Sequence, residues 1–270
     1  MSEPYATLSI ERPHPEIVLL RLNRPERLNA LTHPMVRELH HAIEHVAEDS
    51  ACRVLILMGA GRGFCAGMDI KASIERLQGA PTGPAVRMQG QEMFAGMVKR
   101  LRAMRQPVIA AVNGPAVGAG LGLALASDIR IAGASARFLV GAIRIGLTGG
   151  ECGISYHLPR YIGASRAFEI MLTGRPVDAI EAERIGLVSY VVPDDALFER
   201  AMEMAQALLA NSPFSIHQTK QMMWTNLAAP SFEAALELEN RAQILAALTE
   251  DFSEASHAFA EKRPPKFTGR

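Results

Sequence analysis

Apolar positions along the chain change their period about two-thirds of the way through. Residues 7–23 (TLSIERPHPEIVLLRLN) hold two short apolar runs parted by Pro13 and Pro15, the pattern of two strands joined by a turn. Pro34 then opens a helix, because Met35, Leu39, Ile43 and Val46 recur at helical spacing on one face. Two unbroken apolar runs, 53–58 (RVLILM) and 107–112 (PVIAAV), predict buried strands. An apolar helix over 121–126 and short strands over 129–132 and 137–140 continue the alternation of strand, turn and helix, which predicts an α/β fold. From Ser165 onward strands nearly vanish, and helical patterns cover 178–185, 194–210, 212–224, 232–248 and 253–261. The expected organisation is an α/β core over 1–200 and a helical region over 201–270, of the apolar kind that packs on another subunit. The stretch 79–84 (GAPTGP) reads as a surface loop between two helices, with the character of a lid.

Composition narrows the partners. With 270 residues, 49% of them hydrophobic, the chain can bury a substantial core. Its 28 basic and 28 acidic residues balance, so no basic footprint points to nucleic acid or to an anionic membrane, and neither is expected as a partner. A polyanionic ligand would have to meet local positive charge. Cys52, Cys65 and Cys152 are odd in number and lack metal spacing, so neither a disulfide framework nor a metal site is expected. The first residues show no signal-like apolar run, and no stretch approaches the ~20 apolar residues a membrane span needs, so the expected location is the cytoplasm.

Two glycine-rich turns are the candidate chemistry. Residues 107–128 (PVIAAVNGPAVGAGLGLALASD) run from a strand through a glycine-rich turn into a helix, whose first N–H groups lack intrahelical partners and sit at the positive end of its dipole. A second turn, 59–70 (GAGRGFCAGMDI), also follows a strand and offers free amides near Ala66 to Met68. Converging, the two would make an anion or oxyanion site. Taken alone, they lack the spacing of a dinucleotide fold or a P-loop, and two tight strand-to-helix turns are the commoner explanation.

The segments 22–31 (LNRPERLNAL), 61–70 (GRGFCAGMDI), 107–122 (PVIAAVNGPAVGAGLG) and 170–174 (IMLTG), with 183–188 (ERIGLV) and 258–263 (AFAEKR), resemble in order the signatures of the enoyl-CoA hydratase/isomerase, or crotonase, superfamily. The resemblance implies a spiral of ββα units followed by a helical trimerisation region, assembled as a homotrimer or a dimer of trimers. It implies an acyl-CoA thioester as substrate, with no separate cofactor. It places the backbone N–H groups of an oxyanion hole at Met68 and Ala119, where alanine replaces the usual glycine. CoA contacts fall on Arg27, Ala66, Asp69, Ile70 and Lys71, with Lys262 supplied by a neighbouring subunit. Lys71 and Lys262 are then the local positive charge, although exposed lysines serve equally well as solvated surface. Leu28 and Ala30 are packing residues.

Two departures from the family pattern matter most. Hydration of a 2-enoyl thioester needs one group to handle water and another to protonate the α carbon. The positions where hydratases of the family carry this glutamate pair fall here on Gly122 and Ala142, neither of which moves protons. One acid remains close by: 151–159 (ECGISYHLP) matches the pattern E-x-x-x-S-Y-x-x-P of single-acid isomerases, which puts the catalytic acid/base at Glu151. The competing explanation is that Glu151 caps a helix starting near Cys152. Three functions follow: double-bond isomerisation by Glu151, acyl-CoA binding without turnover, or weak hydration using Glu151 and a water. A Cys152/His157 nucleophilic pair is rejected on helical spacing, and His40, His41 and His45 lie on a helix face with no acidic partners for a metal.

Overall fold

A computed structural model describes residues 5–78 and 83–270. The expected lid falls, for 79–82, outside the described residues. Strand β1 (Leu8–His14) pairs antiparallel with β2 (Ile17–Leu22), joined at the proline turn. Helix α1 (His33–Glu48) follows, its first turn held by the Thr32 hydroxyl, which accepts from Met35 N at 3.3 Å. Next come β3 (Val54–Gly59), helices α2 (Ile70–Leu77) and α3 (Pro84–Ala103), and β4 (Val108–Val112). Then follow β5 (Pro115–Val117), α4 (Ala119–Ala126), β6 (Ile129–Gly133) and β7 (Arg137–Leu139).

Beyond them lie α5 (Ile154–Ile162), α6 (Ala164–Thr173), β8 (Val177–Asp178), α7 (Ala179–Arg184) and β9 (Tyr190–Val192). Four helices end the chain: α8 (Leu197–Leu209), α9 (Pro213–Asn226), α10 (Phe232–Ala247) and α11 (Glu250–Glu261). The α/β class is as the patterning predicts. Helix α6 and the two- and three-residue strands β5, β8 and β9 are not resolved by it, since so few residues carry no period.

Six strands form the main sheet in the order β1-β2-β3-β4-β6-β9, parallel from β2 onward, and β5, β7 and β8 make a second small sheet. A parallel sheet is covered on both faces, which is why 53–58 and 107–112 are continuously apolar. Leu19, Ile56 and Ile109 lie abreast and face α8, whose Leu197, Ala201 and Ala205 are fully buried against them. Leu20, Leu57 and Ala110 lie abreast in the larger core on the other face. The expected boundary between residues 200 and 201 falls inside α8, a helix that packs on the sheet. Among the described residues no helix is long and apolar enough to cross a membrane.

Candidate functional site

The two glycine-rich turns do converge. Cys65 N donates to Pro115 O and Val117 N to Cys65 O, both at 2.9 Å, so 59–68 and 115–119 run side by side. Gly67, at φ +81°, lies so close that a methyl built on it would stand 2.6 Å from Val117 O and 3.7 Å from Ala119 N. On the far side of the loop, Leu31 N donates to Gly67 O and Asp69 N donates to Leu31 O. Those bonds use the residues flanking Met68 and leave the Met68 amide directed to the other side. Ala119 is the first residue of α4, so its N–H has no intrahelical acceptor, and Gly122 N, not Ala119 N, bonds the Gly118 carbonyl. Among the described residues neither the Met68 nor the Ala119 amide has a backbone acceptor.

Asn29 and Asn113 hold this loop in shape, a role not apparent from the sequence. Asn29, fully buried at φ +58°, donates from Nδ2 to Ala60 O (2.9 Å) and Gly63 O (2.7 Å) and accepts from Arg24 N (2.8 Å). Asn113 accepts from Gly59 N (3.0 Å) and donates to Gly59 O (2.9 Å) and Gly61 O (2.8 Å). The available signal was an asparagine just after the turn Pro25–Arg27 and another just after β4, since its amide can replace backbone partners where no ladder runs.

Glu151 enters from the loop before α5. A methyl added to Gly118 would stand 2.7 Å from Glu151 Oε1, so the carboxyl lies against the residue immediately before Ala119. Burial pushes its pKa above the ordinary carboxylate value, and among the described residues no donor bonds its oxygens. It does not cap α5. The N-cap is Gly153, at φ +78° and without any side-chain cap bond, and Cys152 precedes the helix in a turn at φ +46°. The capping explanation and the placement of Cys152 on that helix are both corrected.

The turn carrying Glu151 also accounts for Gly122. A methyl on Gly122 would meet Cys152 Cβ at 2.7 Å and Cys152 O at 2.8 Å, so α4 and the Glu151 turn are in backbone contact there. No side chain fits at 122 while Glu151 occupies its position. Ala142 is buried in the short helical turn Gly141–Ile145. Burial drives the Cys152 thiol up to about 12, with the Glu151 and Cys65 charges adding to it. Burial, then Arg102, Arg130 and Arg160, depress His157 to about 4, so no thiolate–imidazolium pair exists here. Cys65 is buried in packing, its thiol pushed up to about 12 by burial. Among the described residues no three His, Cys, Asp or Glu groups are placed to hold a metal.

A cavity of about 710 Å³ opens at Met68, walled by Ile70 and Ile74 of α2, Met88 and Phe94 of α3, and Leu147. A larger one of about 800 Å³ between α3, α5 and α9 is bounded by Tyr156, His157 and Trp224 and reaches Cys152 but neither amide. Of these two cavities the smaller reaches one of the two amide positions, Met68, and neither is lined by Ala119 or Glu151. Of the residues expected to contact CoA, Arg27, Ile70 and Lys71 are exposed, and Ala66 and Asp69 half-buried, near the same loop. The Asp69 carboxylate is already occupied: it accepts from Ala72 N at 3.1 Å and pairs with Arg24 at 3.1 Å. Burial works to raise it, but those partners prevail and hold it below its usual value. Lys262 is exposed at the end of α11.

The α/β core thus brings two amide-bearing turns and one buried acid together, and comparison with known proteins gives the family. The family model described as enoyl-CoA hydratase/isomerase matches residues 13–270. A probable enoyl-CoA hydratase of Mycobacterium bovis is 47% identical over 265 residues, 96% of this chain and 92% of that protein. A solved putative enoyl-CoA hydratase from Streptomyces coelicolor superposes with a TM-score of 0.93 at 37% identity, over 100% of this chain and 97% of that one. A solved monofunctional enoyl-CoA isomerase from Mycobacterium smegmatis is 45% identical, with a TM-score of 0.72 over 85% of this chain and 98% of its own. The chain belongs to the enoyl-CoA hydratase/isomerase family, with the crotonase fold.

Proposed function

We propose that the protein is an acyl-CoA double-bond isomerase with Glu151 as its single acid/base. The observation that carries this is the contact of Glu151 Oε1 with Gly118, beside the Ala119 amide. Glu151 removes a proton from C2 of a 3-enoyl thioester, and the electron pair moves onto the thioester oxygen. The Met68 and Ala119 N–H groups, preorganised by the loop, stabilise that charge, a type of contact worth roughly 3 kcal/mol of barrier per donor. Glu151 then returns the proton at C4, giving the conjugated 2-enoyl thioester. Its raised pKa suits the first half, because a carboxylate made more basic by burial takes a proton from carbon more readily.

The thioester supplies its own CoA, and no further cofactor takes part. Arg27, Lys71 and the backbone at Ala66, Asp69 and Ile70 line the CoA end. The uncovered apolar side chains Phe232, Leu248 and Phe259, 72%, 78% and 88% exposed, favour a homotrimer or a dimer of trimers, in which Lys262 reaches a neighbour's CoA. A monomer mass by light scattering would refute that assembly.

A second reading, slow hydration by Glu151 and a bound water, is favoured by the hydratase name of the 47% identical relative. Purified protein assayed with 3-hexenoyl-CoA and with crotonyl-CoA separates the two. Isomerisation of the first without hydration of the second is the expected result. Hydration at the greater rate would establish the second reading, and binding without turnover of either would leave only an acyl-CoA-binding protein.

A further inference from the structure

The cavity that opens at Met68 is apolar at its mouth but not throughout. Arg76, Arg87, His33 and Gln91 also line it, and among the described residues no aspartate or glutamate does. Arg76, exposed at the edge of this cavity, pairs with no aspartate or glutamate among the described residues, and a plain alkyl chain makes no use of its guanidinium.

Gly90 marks where the polar groups meet. It lies inside the 20-residue helix α3, where glycine costs about 1 kcal/mol relative to alanine. The other interior glycine, Gly96, is required by packing, because a methyl there would stand 2.9 Å from His40 Cε1. Gly90 is not so required. A methyl there would meet only His33 Nε2 at 3.6 Å and an Arg76 terminal nitrogen at 3.8 Å, both ordinary contacts. Packing therefore leaves this glycine unexplained, and the two atoms nearest to it are hydrogen-bonding nitrogens turned toward one spot. Burial first, then Arg76 and Arg37, hold His33 below its ordinary pKa, so it is neutral at neutral pH and offers a single N–H beside the guanidinium.

Resting on the acyl-CoA reading above, we propose that this pocket selects acyl chains ending in a carboxylate, the CoA monothioesters of dicarboxylic acids, with the terminal carboxylate over Gly90 between Arg76 and His33. The apolar stretch of Ile70, Ile74, Met88 and Phe94 holds the methylenes. Arg76 supplies the charge-assisted, fork-shaped contact a carboxylate accepts, and the bare Cα of Gly90 leaves its oxygens room.

The test is calorimetric titration of the protein with adipyl-CoA and suberyl-CoA against hexanoyl-CoA and octanoyl-CoA, none of which carries a reactive double bond. At matched length the dicarboxylyl thioester is expected to bind about tenfold tighter, the usual worth of a charge-assisted contact. Arg76→Leu should bring that ratio close to one, and Arg76→Lys should keep part of it. Gly90→Ala, which has space for its methyl and gains helix propensity, should fold normally and lower dicarboxylyl affinity more than alkanoyl affinity. Equal or tighter binding of the plain acyl thioesters overturns the inference while leaving the isomerase reading standing. So does an Arg76→Leu variant that weakens free CoA and every thioester alike, which would put Arg76 on the nucleotide end. Failure of all four thioesters to bind overturns the acyl-CoA reading, and this inference with it.

Discussion

Burying Glu151 costs stability, a cost that the proposed acid/base role accounts for. Its folded pKa lies above its unfolded value because burial disfavours the charged form. In the pH window between those two values the folded chain therefore binds more protons than the unfolded one, and stability falls as pH rises through it. The penalty is absent below the unfolded value and complete only above the folded one. Glu151→Gln, uncharged at every pH, should thus melt at a higher temperature than the wild type at pH 7. The difference should vanish below pH ~4, as thermal melts across that range will show. A wild type that is the more stable at pH 7 would mean the carboxylate has a stabilising partner. Gly118 acts through the same carboxyl. An alanine there would press its methyl to 2.7 Å from Oε1 at a backbone φ of +53°, a conformation that costs a side chain on the order of 1–3 kcal/mol. Displacing a reacting group by about 1 Å costs ~100-fold in rate, so Gly118→Ala should lose roughly that much kcat while binding acyl-CoA. Unchanged kcat would show that Glu151 does not work from this position.

At the scale of elements, the site is a junction between parts the sequence describes unequally. Helix α4 begins where two turns touch, and the contact of Gly122 with Cys152 fastens the Glu151 turn to it. Helix α9 is fastened to the sheet by a buried network. Lys220 Nζ lies 2.8 Å from Asp128 Oδ2 and donates to Gln106 O at 2.8 Å, while Trp224 Nε1 donates to Asp128 Oδ1 at 2.8 Å and Val108 N to Oδ2 at 2.7 Å. Removing one partner leaves a buried charge unmatched, so Lys220→Met should cost about 3–5 kcal/mol in denaturant unfolding. A loss under 1 kcal/mol would show that the network adds nothing to α9. None of this network is visible in a pattern of apolar positions, since single polar contacts tie α9 to residues as far as 96 and 114 positions away. The strands of the main sheet and α1 were legible because burial on defined faces leaves a period. Helix α6 and the three short strands were not, because their positions depend on what they pack against.

For the whole molecule, the order of signature segments carried the fold, and the structure explains why those segments are glycine-rich: the chains at Gly59, Gly67, Gly114 and Gly120 approach other backbone too closely for a side chain. Met68 and Ala119 were legible as positions, whereas their approach to one another, the two asparagines that shape the loop and the slot for Glu151 needed three dimensions. The same holds for Arg76 and His33, which belong to separate helices and meet only over Gly90. The surface left uncovered on α10 and α11 belongs to this scale as well, because a lone chain gains nothing from exposing Phe232, Leu248 and Phe259. The central claim is that one carboxylate carries one proton across the acyl chain, and labelled turnover tests it most directly. With 3-hexenoyl-CoA deuterated at C2, wild-type protein should yield 2-hexenoyl-CoA holding part of that deuterium at C4, and Glu151→Gln should lower turnover by at least about 100-fold. Turnover in Glu151→Gln within a few-fold of the wild type would contradict the account.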